Sequence, residues 1–509
     1  MRVLLINSNL KGDVFAAPPI GLSYVASAAQ AAGHNVRVLD LCFRRNIYSE
    51  LERAIVAFRP EVVGISIRNI DNCNMLHPRS YLPEIVEIVR QVRMLTGVYL
   101  VLGGSGASLS PKGVLELLNA DFIIVSEGET AFTELLHCLE TGKPTDSIPG
   151  VGLALNGEFH LTQPTLRDFS RGYGDVGKWI DMKPYQKMGS SYNIQTRRGC
   201  RQHCIYCTYN QVLEGNRLRL RSPVDVVDEI EEAFFKYKPE SFEFVDSVFN
   251  DPVDHCTEIL EEIARRPWKA TFTAMGVSPK GIDKRFLELM RRTGFTSFWI
   301  TPESASETMI MNYRKGFNVD DVIKAAEAMR KTRFTVLWDF LIGGPGENNQ
   351  TLQETLDFTS KYLTKETRPP YYTVNFFLGV RVYPNTKLWH IALREGFINS
   401  NSDPLDQLWY LSSELDLDLA IRQMIDAAIS CPEIISGFDE KYLPLSSAAA
   451  LLGKILHIPK LYWRVMYTGN KILRKTVLRF TFRPPDVVAL IRNQLMRQGY
   501  VGSFGKKVS

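Results

Sequence analysis

The sequence has few cysteines, little net charge and no long apolar run, and each shortage excludes a class of protein. Eight cysteines in 509 residues cannot supply the dense disulfide framework of a small secreted domain. A net charge of +4 gives no reason to expect nucleic-acid binding. No run of about 18 apolar residues is present, so a membrane-spanning helix is not expected. The length instead predicts a globular protein of several domains.

Three of the cysteines stand together as Cys-x3-Cys-x2-Cys at Cys200, Cys204 and Cys207. Three thiolates on a tight loop can bind three irons of a 4Fe-4S cluster and leave the fourth iron open. A structural zinc site is the alternative, but it wants four ligands, and His203 lies inside the loop where its reach is doubtful. Because the amino terminus lacks the pattern of a secretory signal, the triplet predicts cofactor binding in the reducing cytoplasm.

Residues 1–145 alternate short Val- and Ile-rich strands with helices, which predicts a parallel sheet covered on both faces. Five such strands indicate a Rossmann-like or flavodoxin-like domain, whose ligands bind beyond the carboxyl ends of the strands. A polar segment punctuated by glycine and proline follows at 146–189, and we interpret it as a linker.

Residues 190–400 again alternate strand and helix, and six such units predict a partial (β/α)6 barrel of the TIM type. Cys200 follows the first of these strands, where such barrels carry their chemistry. Residues 401–509 show helices without strands. Within them, 441–485 contain nine Lys or Arg and no acid, mixed with Trp and Tyr. We favour a helical cap with a solvated basic face there over a peripheral membrane contact or an anionic-substrate surface.

The cysteine motif resembles that of the radical S-adenosylmethionine (SAM) enzymes. Three later segments resemble that family in the same order: Thr301–Ser306, Phe340–Glu347 and Val382–Thr386. In the family, the open iron of the cluster chelates the amino and carboxylate groups of SAM. The reduced cluster then cleaves SAM to a 5′-deoxyadenosyl radical.

The resemblance also implies which residues contact SAM. Tyr206 would lie against SAM or the cluster, and Gly344 belongs to a turn beside the adenine. Glu243 and Asp246 share the candidacy for the SAM amino group; three residues apart in a strand, they point to opposite faces, and the sequence does not say which faces the barrel mouth. Glu303 and Ser304 are the candidates for contacts with the ribose or the amino-acid part of SAM. Arg197 and Arg198 are the candidates for charges near the cluster.

The first domain resembles the cobalamin-binding domain that precedes many radical SAM domains. The implied cofactor contacts lie in loops after strands three, four and five: Arg68, Gly103, Gly104, Ser105, Glu127 and Gly128. The Asp-x-His-x-x-Gly motif is absent, so no histidine ligand to cobalt is expected. Arg68 either reaches the lower face of the corrin or pairs with an acid such as Asp71.

An alternative for the first domain is that of the methylthiotransferases, which holds a second cluster on three cysteines. Cys42, Cys73 and Cys138 are candidates by number but are poorly placed, since no cysteine follows strand one and Cys138 falls within a predicted helix. Single buried cysteines are common as small apolar residues.

Taken together, these resemblances imply a cobalamin-dependent radical SAM methyltransferase. It would move a methyl group from SAM through methylcobalamin to a carbon of a small-molecule, lipid or peptide substrate. It would use an external electron donor such as flavodoxin or ferredoxin and would bind no nucleic acid. A cyclase or rearrangement enzyme without net methylation, and a non-enzymatic cobalamin- or metal-binding regulator, are the alternatives.

Overall fold

Two largely parallel sheets organise the computed structural model, which describes residues 1–10, 16–172, 174–363, 371–430, 434–436, 484–500 and 502. The first sheet contains seven strands: β1 (Arg2–Asn7), β2 (Asn35–Asp40), β3 (Val62–Ser66), β4 (Tyr99–Gly103), β5 (Phe122–Ile124), β6 (Val151–Leu155) and β7 (Glu158–Leu161). Their order is β2-β1-β3-β4-β5-β6-β7, and the first five are parallel. This is the strand order of a flavodoxin-like domain, as predicted.

Helices cover both faces of this sheet and bury its Val- and Ile-rich strands in two apolar clusters. The helices are α1 (Ile20–Ala31), α2 (Ile47–Phe58), α3 (Leu82–Leu95), α4 (Ser105–Leu109), α5 (Pro111–Leu118) and α6 (Gly128–Thr141). The fully apolar strands explain why the sequence shows continuous rather than alternating hydrophobicity here.

The segment that we interpret as a linker contains more structure than its polar sequence suggests. β6 pairs antiparallel with β5 and then with β7, so the first sheet extends to Leu161. The two-residue turn Asn156–Gly157 has positive φ at both positions, +51° and +84°, as a type I′ hairpin turn requires. Two short helices, α7 (Val176–Trp179) and α8 (Met182–Lys187), complete the connection.

The second sheet is an open, entirely parallel barrel of seven strands: β8 (Tyr192–Ile194), β11 (Phe242–Phe244), β12 (Phe272–Val277), β13 (Phe295–Glu303), β14 (Thr335–Ile342), β15 (Tyr371–Leu378) and β18 (Ile434–Ser436). Two small antiparallel pairs flank it: β9 (Arg197–Arg198) with β10 (Arg219–Leu220), and β16 (Val380–Arg381) with β17 (Trp409–Tyr410). Six of the parallel strands are the predicted ones.

Two strands, β17 and β18, correct the prediction that residues 401–509 are helical throughout. β18 comes from that region and pairs with β15 at the edge of the barrel. Three residues are too short for a strand pattern to be recognised in sequence. The rest of the predicted basic segment, 441–485, lies outside the described residues except for its last two.

Helices surround the barrel, and side chains cap the starts of some of them. They are α9 (Pro223–Tyr237), α10 (Val253–Arg265), α11 (Lys284–Thr293), α12 (Glu307–Asn312), α13 (Val319–Met329), α14 (Asn349–Phe358), α15 (Lys387–Arg394), α16 (Leu417–Ser430) and α17 (Pro484–Arg497). Asn318 and Asn348 form capping boxes at the starts of α13 and α14. Among the described helices, none combines the length and apolar character needed to cross a bilayer.

The two sheets meet at the carboxyl ends of their strands. Asp71, beyond β3, forms a buried ion pair with Arg381 of β16 at 2.9 Å. Glu127 and Glu129, beyond β5, pair with Arg198 of β9. Because parallel sheets bind ligands at these edges, the contact brings the predicted ligand sites of both domains to one shared space.

Candidate active site

The cysteine loop lies between β9 and a one-turn π-helix at Tyr209–Leu213. Gln211 of that turn holds the loop: its Nε2 donates to the carbonyls of Cys204 at 2.9 Å and Cys207 at 3.1 Å. Its Oε1 accepts from the backbone N–H of Lys387 at 2.8 Å, tying the loop to α15. Gly199 has φ of +80°, and a Cβ there would lie 2.1 Å from the carbonyl oxygen of Arg217, so only glycine fits before Cys200.

The three thiols are mostly withdrawn from water. Cys200 and Cys204 are buried, and Cys207 is half-buried. Burial raises the pKa of Cys204 and raises that of Cys207 to about 12, and the neighbouring thiols of the loop add to both effects. Cys204 and Cys207 are therefore protonated in the metal-free protein, so metal binding there must release protons.

The described donors do not favour a single-ion site. No three His, Cys, Asp or Glu side chains converge on the position of one metal ion within the described ranges, which include Cys42, Cys73 and Cys138. Ligands of one zinc must all lie about 2.3 Å from one point, whereas cluster cysteines bind separate irons. The described residues therefore show no preformed single-ion site, and a cluster on Cys200, Cys204 and Cys207 stays a prediction.

A buried guanidinium beside the loop supports an anionic occupant. Arg197 is 1% exposed and donates from Nη2 to the carbonyl of Gly199 at 2.8 Å. Its Nε and Nη1 have no hydrogen-bond partner among the described residues. Leaving buried charged donors unpaired is costly. A negatively charged group held by the loop would satisfy them, so the residues present fit the implied iron–sulfur cluster.

Tyr206 belongs to a buried trio with Glu303 and Lys315. Lys315 Nζ lies 3.0 Å from Glu303 Oε1 and 3.2 Å from Tyr206 OH, and Tyr206 donates to the same carboxylate oxygen. Burial lowers the pKa of Lys315, but the electrostatic interactions with Cys204 and Glu303 have the larger combined effect. The pKa of Lys315 is therefore raised above its ordinary value. Glu303 has φ of +66°, a strained conformation that such contacts can maintain.

Glu243 and Asp246 take different positions, which the sequence leaves open. Asp246 is 3% exposed and accepts from the backbone N–H groups of Thr196 and Arg197, so it anchors the approach to the cysteine loop. Glu243 is half-buried, accepts from Asn193 Nδ2 at 3.1 Å and interacts electrostatically with Arg68. Glu243 therefore stays the candidate for the barrel mouth, whereas Asp246 has a structural explanation.

We expect Glu243→Gln to stabilise the apoprotein above pH 7 and to change little below pH 5. Burial raises the pKa of Glu243 to about 7, above the unfolded value of about 4.3. The stability that this carboxyl contributes is complete below pH 4 and is lost as pH rises through 7, by up to about 1.4 kcal/mol per pH unit. Thermal unfolding of both proteins from pH 5 to 8 measures this difference; parallel curves would mean that Glu243 ionises freely.

Ser304 and Gly344 contact other residues of the protein and do not line an open space for a cofactor. Ser304 is fully buried, and its hydroxyl bonds Thr355 Oγ1 at 2.9 Å and accepts from the N–H of Ser306. A Cβ on Gly344 would lie 2.3 Å from the hydroxyl of Tyr313, so this glycine makes room for a ring. Tyr313 in turn packs edge-on against Tyr206 at 5.7 Å. The turn thereby supports the cysteine loop from behind.

Arg68 does not form the ion pair with Asp71 that the sequence allowed. Arg381 occupies the Asp71 carboxylate, and no ion pair of Arg68 is present among the described residues. Arg68 is exposed, and its charge acts on Glu243 and Tyr209 across the junction of the domains. Its side chain thus belongs to the space between the two sheet edges.

The glycine turn after β4 supports Arg68 directly. A Cβ on Gly104 would lie 2.5 Å from the carbonyl oxygen of Ile67, and Ser105 Oγ donates to the carbonyl of Arg68 at 2.7 Å. Gly103, the last residue of β4, accepts from the N–H of Ile67 at 2.8 Å. These contacts explain the glycine and serine by close packing of two loops, and a cofactor contact from them remains a prediction.

Glu127 and Gly128 also have partners within the protein. Glu127 pairs with Arg198 at 3.4 Å and with Arg219, and both arginines are buried. A Cβ on Gly128 would lie 3.0 Å from Val25 Cγ2, so this glycine permits α6 to approach α1. The predicted cofactor turn therefore joins the two domains, and Arg198 is the connection to the cysteine loop.

Several residues of the site were not predicted from the sequence. Lys315 and Gln211 belong to no recognised motif, and only the tertiary structure brings them to the loop. Asp339 and Asn375 bond at 2.6 Å on β14 and β15, and burial raises the pKa of Asp339 to about 7. Asp339 could have been noticed in the sequence, because it is a charged residue at the centre of the otherwise largely apolar strand β14.

Comparison with known proteins agrees with this organisation. Residues 194–359 match the radical SAM superfamily, and residues 6–136 match the B12 binding domain. An uncharacterized methyltransferase, PH0819, of Pyrococcus horikoshii is 23% identical over 78% of this chain and 84% of its own. The tryptophan 2-C-methyltransferase of Streptomyces laurentii is 24% identical over 75% of this chain and 73% of its own.

A solved structure shares the whole architecture. The radical SAM methyltransferase TsrM of Kitasatospora setae, with cobalamin and a 4Fe-4S cluster bound, matches with a TM-score of 0.78 at 21% identity. The match covers 94% of this chain and 99% of that one, and at this identity it establishes the fold. With both domain matches, the cysteine loop and the shared strand edges, the chain carries a radical SAM domain preceded by an amino-terminal B12-binding domain.

Proposed function

We propose that this enzyme methylates a carbon atom of its substrate, using SAM as the methyl source and cobalamin as the carrier. One observation carries the proposal: ion pairs join the carboxyl ends of the two sheets, Asp71 to Arg381 and Glu127 to Arg198. The carboxyl edges of both sheets therefore open on one space. A methyl carrier on one edge and SAM on the other would face the same substrate.

The bound cofactors would supply the radical and methyl-transfer chemistry, and the protein supplies binding and placement. Cys200, Cys204 and Cys207 would hold the cluster through their thiolates. Lys315 and Glu303 fix Tyr206 beside that loop and place a positive charge near Cys204.

The barrel interior provides the polar groups for a substrate. Glu243 is held by Asn193 and Asp339 by Asn375, and both carboxyls have a pKa of about 7 because they are buried. They can therefore carry or release a proton near neutral pH. The substrate class remains a small molecule, a lipid or a peptide. We further propose a cytoplasmic location and reduction by flavodoxin or ferredoxin.

Arg68→Ala should weaken cobalamin binding about tenfold, the effect expected for losing one charged contact, and should change the visible spectrum of the bound corrin. Iron content should not change, because Arg68 makes no contact with the cysteine loop in its ion pairs or hydrogen bonds among the described residues. Spectral titration with cobalamin measures both quantities. Arg90→Ala, on the exposed face of α3, is the matched control. An unaltered spectrum and affinity would remove Arg68 from the cobalamin site.

The decisive test is anaerobic reconstitution with iron, sulfide and cobalamin, followed by metal counting and incubation with methyl-labelled SAM and dithionite as the reductant. About four irons and one cobalt per chain, with label on cobalamin, support the proposal. Iron without cobalt would remove cobalamin from the mechanism. Both metals with SAM cleavage but no label transfer would instead assign the protein to cyclisation or rearrangement. Both metals without any SAM consumption would indicate a regulator.

A further inference from the structure

A basic groove lies directly outside the cysteine loop. Its basic lining residues are Arg201, His203, Arg314, Lys315 and Lys387, and no acidic side chain lines it among the described residues. Two of them, Arg201 and His203, stand between Cys200 and Cys204, so the wall of the groove is the cysteine loop itself. The groove thus places a concentrated positive charge directly beside the cysteine loop.

The basic side chains remain available at the surface. Arg201, His203 and Arg314 are exposed, and Lys387 is half-buried. Arg201 is paired with Asp251 yet keeps 56% of its side chain exposed. Among these five residues, only Lys315 points into the protein, where its ammonium group contacts Glu303 and Tyr206. The remaining charges form the rim of an open groove rather than the lining of an enclosed cofactor pocket.

The groove lies on the outside of the loop, away from the polar barrel interior. Glu243 and Asp339 face the interior through their partners Asn193 and Asn375. Tyr206 and Glu303 separate that interior from Lys315 at the groove. We therefore expect a partner in the groove to leave the barrel mouth open to SAM and substrate.

We propose that this groove is the docking surface for an acidic one-electron carrier protein. This proposal rests on the proposed function, because the carrier can deliver an electron only if the loop holds a cluster. In the step, the carrier loses one electron and the cluster gains it; no bond forms or breaks. Clustered basic residues accelerate encounter with an acidic partner and orient it. Small, weak, electrostatically guided interfaces are typical of redox partners.

The test uses the reconstituted full-length enzyme and an acidic flavodoxin as the probe. The double variant Arg314→Glu with Lys387→Glu reverses two rim charges without touching the thiols or the Tyr206 trio. The control variant, Lys112→Glu with Arg265→Glu, makes the same charge change on exposed positions of α5 and α10. Two readouts are taken: the Kd for oxidised flavodoxin, and the rate of cluster reduction by reduced flavodoxin compared with dithionite.

We expect the groove variant to bind flavodoxin at least tenfold more weakly and to be reduced by it at least tenfold more slowly. Reduction by dithionite should be unchanged, and the control should behave as wild type. Raising the salt concentration from 50 to about 500 mM should slow wild-type reduction and remove the difference, because screening shortens the range of surface charges.

Two results would overturn the docking proposal. The first is equal flavodoxin binding and reduction by the groove and control variants. The second is inhibition of SAM binding by inorganic phosphate or by the groove substitutions, which would assign the groove to an anionic small molecule. Failure of the wild-type chain to assemble about four irons would instead contradict the proposed function, and iron counting separates that outcome from a docking failure.

Discussion

Cys204→Ala is expected to abolish cluster assembly and all SAM cleavage while leaving cobalamin bound. The three thiols occupy one loop held by Gln211, and burial keeps Cys204 and Cys207 poorly ionised until metal binds. Two thiolates cannot replace three, since each binds a different iron. The B12-binding domain has its own sheet and apolar clusters, so its fold does not depend on the loop.

Iron counting, the visible spectrum and 5′-deoxyadenosine formation measure this prediction, with cobalt content as the internal reference. Cys256→Ala is the matched control, because Cys256 is also a buried free cysteine but lies in α10, outside the loop. We expect the control to retain about four irons. SAM cleavage by the Cys204 variant would contradict the radical SAM assignment of this loop.

Much of the fold was predictable because it depends on local pattern. Five Val- and Ile-rich strands with helices between them gave the first domain, and six strand–helix units gave most of the barrel. The missed elements are those without such a pattern. β6 and β7 have only five and four residues and are joined by a two-residue turn, and β18 has only three residues whose pairing with β15 is long-range.

The cysteine loop was predictable because its ligands are close in sequence, but its supports were not. Lys315 and Gln211 reach the loop only through the packing of α12, the π-helix and α15. The choice between Arg68–Asp71 pairing and a free Arg68 depended on Arg381, about 310 residues away in the chain. No spacing rule contains that information.

Glycines illustrate the same limit. Gly104 and Gly344 stand in turns where a family resemblance implies a cofactor, and glycine does let a backbone approach a ligand. In this structure the absent side chains would meet the carbonyl of Ile67 and the hydroxyl of Tyr313. Sequence shows that a side chain is excluded, and only the structure shows what excludes it.

Lys315→Met should destabilise the cysteine loop by about 3 kcal/mol, because it leaves the buried Glu303 carboxylate without its charge partner. Methionine keeps the volume of the side chain, so the lost charge is the main change. Lys315 also places its positive charge near Cys204. The same substitution should therefore lower iron content after reconstitution, since thiolate formation loses a favourable neighbour.

Hydrogen exchange of residues 200–213 measures the loop directly, and about 3 kcal/mol corresponds to roughly 100-fold faster exchange. Exchange in β1 and β3 of the first domain is the internal control and should not change. Combining Lys315→Met with Glu303→Gln removes both charges and should recover most of the protection, because a neutral amide can remain buried with Tyr206 as its partner. If the double variant exchanges as fast as Lys315→Met alone, the loop depends on the lysine side chain itself, and its ion pair with Glu303 is not what holds the cysteines in place.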